Sequence, residues 1–264
     1  MEPVRRFVEL FEDHDIARTQ IPRFLKDFGI SLSLSDINTD EALLHKMDEP
    51  LMDKVCEIFA IRREWLDGVE SQIYPCHDFY KYPEKFSEFI KELSDKNPNA
   101  QLGGILIAPK EIGFGNDALI LIKEMIGTIG DKPIYRYHLC NNWYFAYWKA
   151  RAYLTACIAI AWKQHVSLRG NYLPHKEIER FSNGEELLGS KGEKLCGFVR
   201  DSWYPEDMAL SPDAFLKGID PEQDSFGIKS AIELWLKLNA KGFMDAGLGR
   251  DEKEAFQQKL KENF

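Results

Sequence analysis

Residues 21–68 read IPRFLKDFGISLSLSDINTDEALLHKMDEPLMDKVCEIFAIRREWLDG and contain four or five short apolar-periodic segments in fewer than fifty residues. Gly29 stands where a helix C-terminus often needs a left-handed residue. Residues 38–41 (NTDE) combine helix-capping side chains with an acidic first turn, and Pro50 fits the first position of another helix. This density of short helices predicts a small all-helical module.

The flanks of this module indicate the domain organisation. Residues 4–11 fit a short amphipathic helix that leads into the module. Residues 71–83, SQIYPCHDFYKYP, contain two prolines and four aromatic side chains without a helical period, which suits an interdomain connection or a docked extended segment. We therefore expect a helical domain over residues 1–72, a linker or docked segment over 73–83, and a larger domain over 84–264.

The larger domain mixes strand and helix patterns. Residues 103–108 (GGILIA) form a β-rich apolar run, and residues 133–140 (PIYRYHLC) alternate as a strand does. Residues 117–129 fit either element, with a helix slightly favoured, and the first half of a helix expected over 142–165 also fits a strand. Further helices are expected over 84–93, 212–217, 228–239 and a polar tail from residue 251. This order predicts an α+β fold, in which an all-helical N-terminal domain precedes a mixed α+β domain.

Composition limits the classes of protein to which the chain can belong. Of the 264 residues 44% are hydrophobic and 12% aromatic, which is ample for a packed core. The five cysteines are scattered without a C-x-x-C pair, which favours a reducing cytoplasm. The longest apolar stretch, residues 152–162, is about half the length that a membrane helix needs, and the N-terminus lacks the apolar core of a signal peptide. We expect a cytoplasmic protein with no membrane association.

Residues 57–68, EIFAIRREWLDG, resemble the end of a helix-turn-helix domain of the phage-repressor or xenobiotic-response-element type. Members of that family commonly close with an apolar helix, a short turn and a Trp-Leu pair followed by Gly. The resemblance covers residues 18–68 and implies a supporting helix at 33–37 and a recognition helix at 39–47. It implies a bacterial or phage-type transcriptional regulator, whose C-terminal domain would serve dimerisation or effector sensing.

The resemblance also implies which residues would contact DNA. Polar and basic side chains of the recognition helix would meet base edges, while neighbouring basic side chains would meet phosphates. The candidates are Ser35, Asn38, Thr39, His45, Lys46, Arg18 and Arg23.

The charge of the helical domain opposes DNA binding. Residues 1–72 hold nine Lys and Arg against sixteen Asp and Glu, and Asp40, Glu41 and Asp48 lie on or beside the expected recognition helix. DNA affinity depends on neutralising phosphates, so the charge leaves two hypotheses. Either a local basic rim contacts DNA, or the module serves protein–protein interaction or self-association without DNA. The rim would consist of Arg18, Arg23, Lys26, Lys46, Arg62 and Arg63.

Residues 143–148 (WYFAYW) are denser in aromatic side chains than a typical core helix. Aromatic faces with polar edges can line a ligand pocket, and Arg136, Lys149 or Arg151 could bind an acid there. The alternative, which the sequence favours, is a buried core helix. The candidate pocket residues are Arg136, Trp143, Tyr144, Tyr147 and Trp148.

No catalytic residue, metal site or cofactor is predicted. No Ser lies in a G-x-S-x-G elbow, so an enzyme carried by the C-terminal domain is a third hypothesis only. His138 and Cys140 could assemble a zinc site with residues 76–77, but the spacing is not that of a zinc finger. Residues 113–117 (GFGND) fit a plain turn better than a phosphate cradle, and the acidic pair at 206–207 is expected in a solvated segment.

Overall fold

The computed structural model describes residues 2–98, 101–110, 117–197, 202–219, 227–249 and 252–263. It contains 52% helix and 19% strand, with a mixed five-stranded sheet that follows N-terminal helices, so the predicted α+β class is confirmed. The chain divides into two compact units. The first unit comprises residues 1–76, 123–139 and 180–197, and the second comprises residues 77–122, 140–179 and 198–264.

The described elements are numbered in chain order. The helices are α1 (Glu2–Asp13), α2 (Ile21–Lys26), α3 (Leu34–Ile37), α4 (Asp40–Leu44), α5 (Glu49–Phe59), α6 (Arg63–Leu66), α7 (Pro83–Lys96), α8 (Trp148–Lys163), α9 (His175–Ser182), α10 (Gly189–Cys196), α11 (Asp207–Leu210), α12 (Pro212–Leu216), α13 (Gly227–Ala240) and α14 (Lys253–Asn263). The strands are β1 (Cys76–Asp78), β2 (Leu102–Pro109), β3 (Asp117–Ile129), β4 (Lys132–Tyr144) and β5 (Ser167–Leu173).

In the first unit, polar side chains cap the starts of two short helices. The Thr39 hydroxyl accepts a hydrogen bond from the Ala42 N–H over 3.2 Å, and the Asp48 carboxylate accepts one from the Leu51 N–H over 3.0 Å. Both side chains therefore cap the helices that follow them, α4 and α5. Ala60 ends α5 in the left-handed conformation, with φ at 53°.

Aromatic rings form the core of these helices. Phe11 meets Phe59 edge-on with 5.0 Å between ring centroids, and Phe24 lies 5.9 Å from Phe59. Trp65 and Leu66 are also buried. Burial of these large apolar side chains stabilises helices that are too short to persist alone.

Residues from outside the predicted helical domain also belong to the first unit. The Ile73 N–H donates to the Gly184 carbonyl over 2.7 Å. The Asp13 carboxylate, at the end of α1, accepts from the Gly189 N–H over 2.6 Å and so caps the start of α10. These bonds join residues 73–74 and 180–197 to α1 within one unit.

The strands form a single sheet in the order β1-β4-β3-β2-β5. β2 and β5 are parallel, with Gly103 opposite Ser167 and Pro109 opposite Leu173. Two residues connect β3 to β4, and so short a connection can join only antiparallel neighbours. Gly130 in that turn has a φ of 61°, which glycine adopts without strain.

Two element assignments from sequence need correction. Residues 117–129 form strand β3, so the helix slightly favoured there is wrong. β3 is the central strand, and residues 118–122 are fully buried, so no polar alternation marks the strand. The helix expected over 142–165 begins only at Trp148, because residues 142–144 end β4. The strands expected at 103–108 and 133–140, and the helices at 84–93, 212–217 and 228–239, are confirmed.

The core of the second unit packs around α8. Most side chains of α8 are buried, including Arg151. Trp235 of α13 stacks on Phe256 of α14 with 3.5 Å between ring centroids. None of the described helices combines the length and the apolar character that crossing a membrane requires.

Candidate functional site

The candidate DNA-contacting residues lie on the surface of the first unit. Five of them are exposed on or beside α3 and α4, and Arg23 is exposed on α2, whereas Arg18 is half-buried. The five are Ser35, Asn38, Thr39, His45 and Lys46. The helix expected at 39–47 is shorter, since α4 ends at Leu44, and Thr39 uses its hydroxyl as the helix cap.

Four of the six cations of the basic rim form ion pairs with carboxylates. Arg18 pairs with Asp40 over 2.8 Å and donates to the Ile37 carbonyl over 2.6 Å, and Lys46 lies 3.4 Å from Asp36. The two carboxylates, Asp40 and Asp36, lie on α4 and α3, the helices for which DNA contact is expected. Cations already paired with carboxylates have less charge to offer phosphates.

Two of the four remaining rim cations also form ion pairs with carboxylates. Arg62 pairs with Glu70 over 2.6 Å, and Arg63 pairs with Glu49 and Asp67 over 2.8 and 2.9 Å. Arg23 and Lys26 have no carboxylate partner within the described part of the chain. Two leucines, Leu34 at 61% and Leu44 at 44%, are exposed on α3 and α4.

The five candidate residues of the aromatic pocket lie in different environments. Trp143 is fully buried, and its indole N–H donates to the Cys140 carbonyl over 3.0 Å. Arg136, in the first unit, is engaged by the Glu124 carboxylate through two hydrogen bonds. Tyr144, Tyr147 and Trp148 are half-buried, and none of the five candidates lines the cavity described next. The alternative, a buried core helix, is right about the burial of Trp143 and wrong about its secondary structure, since Trp143 lies in β4.

The second unit contains a cavity of about 440 Å³ at the carboxyl ends of the parallel strands β2 and β5. In sheets with parallel strands, this end is where ligands commonly bind, and the volume lies within the range of small-molecule sites. The Lys110 N–H donates to the Leu173 carbonyl over 3.0 Å and holds the two strand ends together. The lining residues are Pro109, Lys110, Phe145, Arg151, Tyr172, Trp203, Asp207, Met208, Ala214 and Lys217.

Arg151 provides the buried charge of this cavity. Its side chain is 1% exposed, and its Nε donates to the Phe145 carbonyl over 2.9 Å. Its Nη1 donates to the carbonyls of Phe215 and Lys217 over 3.0 and 3.1 Å. The Nη2 atom is buried and has no hydrogen-bond partner, and no carboxylate pairs with Arg151 in the described residues. A buried cation with a free donor is the arrangement that an anionic ligand would complete.

Arg151 keeps its charge near neutral pH. Burial lowers the pKa of the guanidinium to about 9, because a charged group loses solvation inside the protein. The ring of Phe145 lies 3.6 Å below the guanidinium carbon and stabilises the cation through its π face. Lys110 and Lys217 add exposed positive charge to the lining, and Asp207 supplies its one described carboxylate. The lining therefore has a positive balance.

An aromatic wall faces the same cavity. Tyr172 and Trp203 lie nearly parallel, 14° apart with 5.5 Å between ring centroids. Trp203 lies over Gly170, where an added Cβ would come within 2.3 Å of the indole. Glycine is therefore required for the indole to lie against β5. The indole Nε1 is buried without a hydrogen-bond partner among the described residues.

The remaining candidates from the sequence are the possible zinc ligands, the 113–117 turn and the acidic pair at 206–207. His138 bonds to Glu124 over 2.9 Å, and no cluster of three metal-ligating His, Cys, Asp or Glu side chains occurs within the ranges that the structure describes. Most of the 113–117 turn lies outside those ranges. Glu206 is 7% exposed, so the solvation expected for the pair at 206–207 is wrong for Glu206, whereas Asp207 is exposed. Its Oε2 atom has no partner, and burial raises the pKa of Glu206 to about 7.

The sequence indicates Arg151 as one of three possible acid-binding residues, because it follows the aromatic residues 143–148. No local sequence pattern indicates that Trp203, Lys110 and Lys217 line a cavity, because they come from three separate segments of the chain. Comparison with protein-family models, with curated proteins and with solved structures finds no match for this chain.

Proposed function

We propose that the protein binds a small organic anion in the Arg151 cavity, and that this cavity is the effector site of a regulatory protein. One observation carries the proposal: the buried guanidinium of Arg151, a residue that lines the cavity, has no carboxylate partner in the described chain and keeps an Nη2 donor group without a partner there. Leaving such a group unsatisfied is costly, and a bound carboxylate or phosphate would satisfy it.

Calorimetric titration of the full chain with inorganic phosphate, acetate and benzoate tests this function. We expect at least one of these anions to bind at a single site and raise the melting temperature. Arg151→Lys keeps a charge but loses the guanidinium fork, and it should weaken binding roughly tenfold or more. Arg180→Lys, at an exposed arginine, is the matched control and should bind as the native chain does.

Two results would remove the proposal: no response to any of the three anions at millimolar concentration, or unchanged affinity in Arg151→Lys. If Arg151→Lys is too unstable for titration, the Lys110→Ala, Lys217→Ala double variant gives a second readout. Both lysines are exposed, so this variant should fold and weaken binding by about two- to fivefold.

The ion pairs of the helical module favour a second function, namely recognition of a protein partner. The resemblance to repressor-type domains supports contact with DNA, and with it regulation of transcription. The pairing of Arg18, Lys46, Arg62 and Arg63 with carboxylates, together with the exposed Leu34 and Leu44, instead supports a protein surface as the target. The two targets are distinguishable by experiment.

A gel-retardation assay on genomic fragments at about 50 mM salt addresses DNA first, because low salt favours phosphate contacts. We expect no complex at micromolar protein. A retarded complex that weakens steeply with added salt would instead support the DNA-binding regulator. For the protein partner, the triple variant Asp40→Asn, Glu41→Gln, Asp48→Asn should lose a partner that the native chain retains. The control Glu88→Gln, Glu92→Gln, Asp95→Asn neutralises exposed acids of α7 and should keep it.

A further inference from the structure

We infer that the ligand of the Arg151 cavity is a planar aromatic monocarboxylate, with its carboxylate at Arg151 and its ring against Trp203. This inference rests on the proposed anion-binding function and specifies the class of ligand. It combines three features of the cavity: the single free donor group, the flat indole and the exposed lysines.

The donor group of Arg151 matches one negative charge. Backbone carbonyls occupy Nε and Nη1, whereas Nη2 has no partner among the described residues, so Nη2 is the nitrogen that we assign to the carboxylate of the ligand. A carboxylate carries one charge and neutralises the guanidinium without excess. A phosphate dianion would bring a second charge into a site where Arg151 is the buried cation, and burying an unpaired charge is strongly unfavourable.

The indole of Trp203 selects for a flat ring. Its backbone is paired with Gly170 through two hydrogen bonds, Gly170 N–H to the Trp203 carbonyl at 2.8 Å and Trp203 N–H to the Gly170 carbonyl at 2.9 Å. These bonds and the absence of a Cβ at Gly170 hold the ring close to the strand, nearly parallel to Tyr172. A flat, fixed aromatic surface contacts an aromatic ring better than a puckered saturated ring, and it adds a stacking contribution.

The exposed lysines define the open side of the site. Lys110 and Lys217 line the cavity but remain exposed, and neither has an ion-pair partner among the described residues. Their charge attracts an anion toward the cavity, while Arg151 is the cation that is fully desolvated. A ligand with one acidic group therefore places that group at Arg151.

Three ring compounds of similar size, benzoate, cyclohexanecarboxylate and benzamide, together with inorganic phosphate, test the inference in calorimetric titrations of the full chain. Benzoate and cyclohexanecarboxylate share a charge and differ in ring planarity, whereas benzamide keeps the ring and loses the charge. We expect benzoate to bind about three- to tenfold more tightly than cyclohexanecarboxylate and at least roughly tenfold more tightly than benzamide or phosphate.

Variants assign these preferences to residues. Trp203→Leu and Gly170→Ala should each remove the advantage of benzoate over cyclohexanecarboxylate, the second because its Cβ displaces the indole. Trp162→Leu, at a half-buried tryptophan outside the cavity lining, is the matched control and should retain the advantage. Circular dichroism of each variant checks that the fold persists.

The outcomes separate the two proposals. Equal binding of the two carboxylates leaves the anion-binding function in place and overturns the aromatic ligand. Tighter binding of phosphate than of benzoate does the same. Binding of benzamide as tight as that of benzoate contradicts the role of Arg151, and failure of all anions to bind removes the proposed function itself.

Discussion

Arg136 of β4 forms a bidentate ion pair with Glu124 of β3, in which Nε and Nη2 each donate a hydrogen bond of 2.7 Å to the carboxylate. The remaining nitrogen of the fork, Nη1, donates to the Glu57 carbonyl near the end of α5 over 2.9 Å. One side chain therefore joins two strands to the C-terminal end of a helix, where a cation is electrostatically favourable. All of these residues belong to the first unit.

Glu124→Gln should lower the free energy of unfolding at pH 7 by roughly 3–5 kcal/mol, since it breaks a buried ion pair. Burial would raise the pKa of Glu124, but hydrogen bonds from His138 and Arg136 outweigh burial and lower that pKa to about 2. A lowered carboxyl pKa stabilises the folded chain fully above about 4.5 and less as the pH falls toward 2. Urea unfolding at several pH values should therefore show an acid-dependent loss of stability that Glu124→Gln reduces.

The control for this experiment is Glu88→Gln, at an exposed glutamate of α7. It should leave both the stability at pH 7 and its decline in acid unchanged. An unchanged acid dependence in Glu124→Gln would show that the ion pair with Arg136 does not control stability in acid.

Asp13→Ala should destabilise the first unit by roughly 1–2 kcal/mol, because it removes the carboxylate that caps α10. Asp27→Ala, at an exposed aspartate, should have little effect. Gly189→Ala should be at least as damaging as Asp13→Ala, since its Cβ would lie 2.5 Å from the Asp13 carbonyl oxygen. Chemical denaturation of the three variants measures these differences, and equal stability of Asp13→Ala and the native chain would contradict the cap.

Glu206→Gln should make the protein more stable above pH 7 and no more stable below about pH 4.5. Burial raises the pKa of Glu206 to about 7, so the folded chain keeps a proton that the unfolded chain releases above its ordinary value of 4.5. The free energy of unfolding therefore falls as pH rises through this window, by no more than about 3 kcal/mol. Thermal melting between pH 4 and 8 measures the effect.

Glu177→Gln, at an exposed glutamate of α9, should show the same pH dependence as the native chain. If the stability of Glu206→Gln still falls by the full amount between pH 4.5 and 7, a group other than Glu206 causes that pH dependence.

Salt should weaken the contribution of Lys217 to anion binding more than that of Arg151. Lys217 is exposed, so dissolved ions screen its charge, whereas the desolvated Arg151 is largely protected from screening. We expect Lys217→Ala to lower affinity about two- to fivefold at low ionic strength and to have almost no effect at about 1 M salt. Titrations with benzoate at both salt concentrations, with Lys237→Ala as the control, decide the point.

Local sequence signals predicted the helical part of the fold well. Thr39 and Asp48 are capping residues by type, and they cap α4 and α5 in the structure. The strand at 117–129 was missed because its centre is buried on both faces, so its apolar run carries neither a helical nor an alternating period. The resemblance to repressor-type domains remains a prediction.

The cavity could be predicted only in part. The aromatic residues 143–148 indicate Arg151 as a possible acid-binding residue, but the other cavity residues come mostly from distant segments. The burial of Glu206 could not be predicted either. It lies beside another acidic residue in the sequence, and only tertiary packing buries it. Sequence periodicity indicates which face of an element is buried, but it does not indicate which faces meet.

The two backbone hydrogen bonds between Trp203 and Gly170 also affect how readily the chain would aggregate. β5 lies at one edge of the sheet, and an edge strand offers its free backbone groups to strands of other molecules. At Gly170 both backbone groups are already used by Trp203, which interrupts that edge near its middle. Substitutions that release Trp203 would therefore combine weaker recognition of ligand with a greater tendency of the chain to aggregate.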